Sequence, residues 1–144
     1  MKNKYITLML AACTVCSGSM QAQEIEKTLH LNHMMKVSDE DQSTYRLELR
    51  KIAGETYSGI VYDFMNTIKA EGTYVLIGNK YMEDGHFTYY YQDGQIESEG
   101  EYDRGVKVGT WKRYDNYGKR KTDKYYPAES ADKIREMMMM EKEE

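Results

Sequence analysis

The sequence predicts an all-β fold. The expected architecture is an antiparallel meander of β-hairpin repeats, followed by a short C-terminal helix or frayed tail. Three observations predict it. Of 144 residues, 14 are Tyr and 11 are Gly, against one Trp, two Phe and one Pro, a strand-and-turn composition. A frame of Gly-x-aromatic-x-x-Tyr-x-x-x-Gly occurs twice: Gly85, Phe87, Tyr90 and Gly94 are answered 24 residues later by Gly109, Trp111, Tyr114 and Gly118. Between turn signals, side chains alternate in character with the period of two that a half-buried strand requires.

Residues 1–22 read as a secretory signal peptide. Lys2 and Lys4 form a charged start, and residues 5–16 are apolar, too short a run for the ~20 residues that cross a bilayer. Ser17-Gly18-Ser19-Met20-Gln21-Ala22 then supplies small and polar residues, with cleavage expected after Ala22. The expectation is an exported protein, periplasmic or secreted. The alternative is a lipoprotein, because Leu10-Ala11-Ala12-Cys13 resembles a lipobox and would anchor the chain through Cys13. Both cysteines, Cys13 and Cys16, lie in this leader, so a chain cut after Ala22 has no disulfide.

Residues 23–58 are expected to hold N-terminal strands and a loop. Residues 28–37 read as a strand and residues 38–43 as a polar loop. Tyr45, Leu47 and Leu49 alternate with Arg46, Glu48 and Arg50, and Ala53-Gly54-Glu55 turns the chain. Residues 59–126 carry the hairpin repeats. Ile96-Glu97-Ser98-Glu99-Gly100-Glu101-Tyr102 and Ile68-Lys69-Ala70-Glu71-Gly72-Thr73-Tyr74 share Ile-x-x-Glu-Gly-x-Tyr, and a weaker copy opens at Gly59. Four extra residues separate Gly72 from Gly85. Turns are expected at Asp93-Gly94, Arg104-Gly105 and Tyr117-Gly118. Ile96, Ser98, Gly100 and Tyr102 share one face and Glu97, Glu99 and Glu101 the other. Gly100 then leaves room for a neighbouring ring, for which Trp111 is the candidate. Trp111 and Tyr114, three apart, share a face only across a bulge. Pro127 ends the sheet. Residues 127–144 form a helix or a frayed tail, with Ile134, Met137 and Met138 as an apolar stripe.

Residues 102–119, Tyr102-Asp103-Arg104-Gly105 through Trp111 and Tyr114 to Gly118-Lys119, resemble the bacterial variant of the MORN repeat, roughly Tyr-x-x-Gly-x-x-x-Gly-x-Trp-x-x-Tyr-x-x-x-Gly-Lys. The resemblance extends over residues 59–126, about half the chain. It implies stacked antiparallel (MORN-like) hairpins forming one elongated, twisted sheet. Some members of that family are labelled antitoxins, others are exported repeat proteins, and eukaryotic relatives are associated with membranes, phospholipids and scaffolding. The family has no shared active site to carry over.

Candidate sites follow from the aromatics and the charges. Consecutive strand residues face opposite ways, so the run Tyr89-Tyr90-Tyr91 puts at least one ring towards solvent or a partner; with Tyr114 these are the candidate partner-binding residues. Phe87, Tyr102 and Trp111 are expected to be inter-repeat core, the alternative being a groove for a sugar, peptide or lipid headgroup. The structural repeat positions are Gly85, Phe87, Gly94, Gly100, Gly109, Trp111 and Gly118. The stripe Glu97, Glu99, Glu101 is expected to pair with Lys107 and Lys112. Residues 104–126 carry eight basic side chains against two acidic, and their run of Lys119-Arg120-Lys121 reads as a lysine-protected edge strand. His30, His33 and His86 are too few to suggest a metal site, and no nucleophile motif or phosphate loop is present. No cofactor is expected. The functional expectation is a non-catalytic exported repeat module for protein–protein interaction or scaffolding at the cell envelope. The alternatives are an antitoxin-like neutraliser of a toxin partner, or a carbohydrate- or lipid-headgroup-binding protein. The expected partner is another protein, not nucleic acid, with membrane contact only through a lipidated Cys13.

Overall fold

The computed structural model describes residues 24–140. The expected leader, its expected cleavage point and Cys13 lie outside the described residues, as do the last four positions. Eight strands run in chain order as one antiparallel meander: β1 (Lys27–Leu31), β2 (Tyr45–Ala53), β3 (Thr56–Asp63), β4 (Ile68–Ile77), β5 (Lys80–Tyr90), β6 (Ile96–Asp103), β7 (Val106–Arg113) and β8 (Lys124–Tyr126). One helix, α1 (Ala128–Met140), follows Pro127. The sheet is open, and the predicted fold class is the observed one.

Two expectations about the ends are corrected. Residues 28–37 are not one strand. The Asn32 side-chain oxygen accepts the amides of Met34 and Lys36, which turns the chain after Leu31 and brings Val37 back to bridge it. In α1 the buried residue is Ala131, while Ile134 and Met137 of the predicted stripe are exposed. A small side chain lets the helix approach the sheet, where Arg135 ties it to the Asp103 carboxylate at 2.8 Å.

The repeat has a physical explanation in two consecutive hairpins. In β4–β5, the Phe87 ring lies against Gly72, where an added Cβ would sit 2.4 Å from the ring. In β6–β7, Trp111 lies against Gly100 in the same way, at 2.5 Å, as expected. The edge of Tyr74 meets Phe87 at 5.1 Å, and that of Tyr102 meets Trp111 at 5.2 Å. On the other face, the hydroxyl of Tyr90 donates to Glu71 and that of Tyr114 to Glu99. In both hairpins Glu-Gly-x-Tyr supplies the acceptor, the gap and the ring edge, and aromatic-x-x-Tyr supplies the ring and the donor. Gly85 and Gly109 both sit within strand irregularities at positive φ (85° and 68°), which L-residues with side chains rarely adopt. Phe87 and Trp111 are each 1% exposed. Burial of such rings stabilises by ~1.5–3 kcal/mol each, and each edge-to-face pair adds ~0.5–1.5 kcal/mol.

Trp111 and Tyr114 therefore face opposite ways despite the irregularity in β7: its two extra residues preserve parity between Val108 and Lys112. The four extra residues between Gly72 and Gly85 do not form a loop. They lengthen β4 and β5, pairing Val75 with Met82, Leu76 with Tyr81 and Ile77 with Lys80. Over β1 to β4 the core face is mainly aliphatic, built from Leu31, Leu47, Leu49, Val61 and Ala70 with Tyr57 and Tyr74.

Candidate functional site

The meander places alternate connections on opposite rims of the sheet. One rim has two-residue turns at Gly54-Glu55, Gly78-Asn79 and Arg104-Gly105. The other rim has four longer loops of one design: residues 32–36, 63–67, 91–95 and 115–119. In each, the first amide donates to the fifth carbonyl and the fourth amide donates to the first carbonyl. The fourth residue has positive φ every time: Met35, Asn66, Gly94 and Gly118. Asn32, Asp63 and Asp115 begin three of these loops and cap two later amides with one side-chain oxygen. Tyr91 begins the third and lacks that oxygen, and Asp93 takes the Gln95 amide instead.

Three of the four loops carry exposed apolar side chains at their tips. Phe64 and Tyr117 are each 85% exposed, and Met65 and Met34 are also exposed. The loops are tied to each other. Gln92 donates to the Asp63 carboxylate at 3.0 Å, Gln95 to the Asn116 carbonyl, and Arg46 to the Asn66 side chain at 3.2 Å. Burial alone would push the Asp63 carboxyl up. Hydrogen bonds from Gln92 and the Thr67 and Met65 amides, with the Lys69 charge, hold it below the usual range. A pocket of about 330 Å3 opens beside Phe64, lined in part by His30, Tyr45 and Arg46.

The four candidate tyrosines are each half-buried, and each hydroxyl has a partner within the chain. Tyr89 and Tyr90 face opposite ways, as strand geometry requires. Tyr89 meets the Tyr102 hydroxyl at 2.8 Å on the core face, and burial raises its pKa to about 12. Tyr90 donates to Glu71 on the outer face. Tyr91, past the end of β5, donates to the Tyr114 carbonyl at 2.9 Å. Tyr114 donates to Glu99 at 3.1 Å. The structure does not bring the four together as one surface.

The acidic stripe pairs with only one of its two expected partners. Lys112 reaches Glu99 at 3.2 Å, and His86 bridges Glu99 and Glu101. With Lys112 and Tyr114 donating to it, Glu99 is held below the usual carboxylate range against its desolvation. Lys107 instead lies opposite Tyr102 in register and therefore on the core face. Its ammonium sits 3.8 Å from the centroid of Trp111, with Tyr89 and Tyr102 within 6 Å. Beside it a pocket of about 200 Å3 is lined by Ser98, Lys107, Trp111, Arg113, Lys124 and Tyr126.

Sequence reasoning missed both the loop rim and this pocket. The signal for the rim was available in the spacing of Asn32, Asp63 and Asp115, each three residues before the left-handed position. The pocket had no such signal, because it depends on β8 pairing Lys124 with Trp111 across a ten-residue connection. Among the described residues no group of three or more metal-ligating side chains converges, and no helix is long and apolar enough to cross a membrane. No family model, no curated protein and no solved structure matches the chain.

Proposed function

We propose that this chain is an exported, non-catalytic binding module that contacts another protein through its rim of long loops. The observation that carries the reading is the pair Phe64 and Met65, held in solvent at 85% and 66% exposure by a hydrogen-bonded turn. Water-exposed aromatic and methionine side chains on an ordered scaffold have the composition of interface anchors. Their order matters as much as their apolarity. The Asp63 cap and the Gln92 and Arg46 cross-links hold the loops before any partner arrives, which lowers the entropy lost on binding. Met34 on one side and Tyr117 at the far loop extend the apolar tips along the same rim. The resemblance to exported repeat proteins points the same way.

The test compares two immobilised proteins, the parent and Phe64→Ser/Met65→Ser, against solubilised cell-envelope extract. Both substitutions are at exposed tips, so the thermal midpoint should stay within a few degrees of the parent. The parent should retain a protein that the double variant does not. Equal capture by both, with the fold intact, removes the rim from the reading.

A further inference from the structure

We propose that the pocket formed by Lys107, Arg113 and Lys124 binds a tetrahedral oxyanion: phosphate or sulfate, free or as an ester on a sugar. The strand register assembles it. Arg113 stands opposite Ser98 across β6–β7, and Lys124 stands opposite Trp111 across β7–β8. Lys107, earlier on β7, places its ammonium over the Trp111 ring. Three cations from two strands thus line one pocket of about 200 Å3, with Trp111 and Tyr126 as its aromatic walls. That is several times the roughly 30 Å3 share of one water.

Among the described arginines only Arg113 has no carboxylate partner: Arg46 and Arg50 share Glu48, Arg104 and Arg135 pair with Asp103, and Arg120 with Asp123. Among the described residues, no carboxylate lies within ion-pair distance of Lys107, Arg113 or Lys124; Glu83 and Glu97 act on Lys107 only at longer range. The lysines are met by rings instead, Lys107 by Trp111 and Lys124 by Tyr126 at 4.8 Å. Ring quadrupoles attract cations but do not neutralise them. Burial lowers the Lys107 pKa and the Lys124 charge lowers it further; Glu97 and Glu83 oppose this, and Arg113 adds the smallest lowering. A dianion relieves that repulsion. The lining offers three cationic groups and the Ser98 side chain, a number that matches the four oxygens of phosphate or sulfate better than the two of a carboxylate.

The chain has a single tryptophan, and it forms a wall of this pocket, so its fluorescence reports occupancy directly. Sodium phosphate and sodium sulfate are titrated into the full chain with chloride holding ionic strength constant, and the same titration is followed by calorimetry. A saturable response to phosphate or sulfate is expected. Arg113→Gln and Lys124→Gln, both exposed, should each weaken it about tenfold, the size of one charge-assisted contact, while leaving the thermal midpoint in chloride unchanged. Glucose 6-phosphate distinguishes the sources: tighter binding than inorganic phosphate assigns an ester, and equal binding assigns the free ion. Glucose alone is the control. No saturable signal by either method, a response that chloride reproduces, or affinities that neither substitution alters would overturn the proposal.

Discussion

The hairpins β4–β5 and β6–β7 contain the same device and differ in what surrounds it. In the first, Phe87 is enclosed: Tyr74 and Tyr102, from strands on both sides, present their edges at 5.1 and 5.0 Å. In the second, Trp111 has Tyr102 on one side at 5.2 Å, but its other neighbour is the three-residue β8, whose Tyr126 is 6.4 Å away. The larger indole fills part of what a full strand would have covered, and the stem and ammonium of Lys107 fill more. One repeat unit is interior and the other is marginal. At the margin, cations and a pocket stand where the interior unit has rings. A repeat that only stacks needs identical units; the last unit here keeps the packing device but leaves a cation-lined pocket beside it.

The largest expected effect tests whether Trp111 remains a core residue despite its marginal position. Trp111→Ala should destabilise by ~3–5 kcal/mol, as should Phe87→Ala. The conservative exchanges should separate the units. Trp111→Phe should cost far less than Trp111→Ala, since the interior unit already folds around Phe in that slot. Phe87→Trp should cost ~1–3 kcal/mol, because rings on both sides leave no space for the second indole ring. Urea unfolding monitored by circular dichroism measures all four. A Trp111→Ala variant that unfolds like its parent would remove the packing role altogether.

This distinction also marks what the sequence made legible. Glycine and aromatic letters announced both hairpins, because close approach of a ring to the backbone and positive φ each demand a residue type. The same loop geometry at residues 32–36 and 63–67 escaped notice, because Met35 and Asn66 occupy the left-handed position without a glycine. Their Asx caps, Asn32 and Asp63, stabilise the turn from a side chain rather than through backbone freedom, and such letters are common in loops. The expected pairing of the acidic stripe with Lys107 across the turn does not form. The two-residue turn at Arg104-Gly105 instead puts Lys107 opposite Tyr102, among the rings. The candidate tyrosines were correctly alternated, but their partners lie 13 to 23 residues away in neighbouring strands, beyond what local pattern carries.

The glycines beneath the rings sharpen the comparison. An added methyl at Gly72 or Gly100 meets ring carbons at 2.4 or 2.5 Å, so in either case the ring must move. Overpacking of this kind costs ~1–3 kcal/mol. Trp111 has an open pocket beside it and Phe87 does not, so Gly72→Ala should be the more destabilising of the two. The clash itself is isolated by a double-mutant cycle: in a Trp111→Ala background, Gly100→Ala should be nearly neutral, because the methyl enters the space the indole vacated. Additive costs would show that Gly100 is needed for backbone reasons unrelated to the ring.

The smallest effect concerns two carboxylates placed by the two units on opposite faces. Glu83, in the lengthened part of β5, faces the core; burial raises its pKa above the ordinary 4.5, opposed by its own amide and by the charge of Lys107. Glu99, on β6, faces outward; donation from Lys112, and then from Tyr114, lowers its pKa below 4.5 despite some desolvation. The linked pH dependences have opposite signs. For Glu83 the folded state binds its proton more tightly, so its contribution is fully present below the unfolded value and is lost as pH rises through the folded pKa. For Glu99 the folded state favours the charge, so its contribution is present above the unfolded value and is lost as pH falls through the folded pKa. Glu83→Gln should therefore remove a decline in the urea midpoint above about pH 4.5, and should leave the variant at least as stable as the parent at pH 7. Glu99→Gln should lower the midpoint at pH 7 and flatten its fall in acid. Midpoints measured from pH 3 to 8 for the parent and both variants decide the matter. Two variants that shift the profile in the same direction would mean that the carboxylates do not experience opposite environments, and that the two faces of the sheet are electrostatically alike.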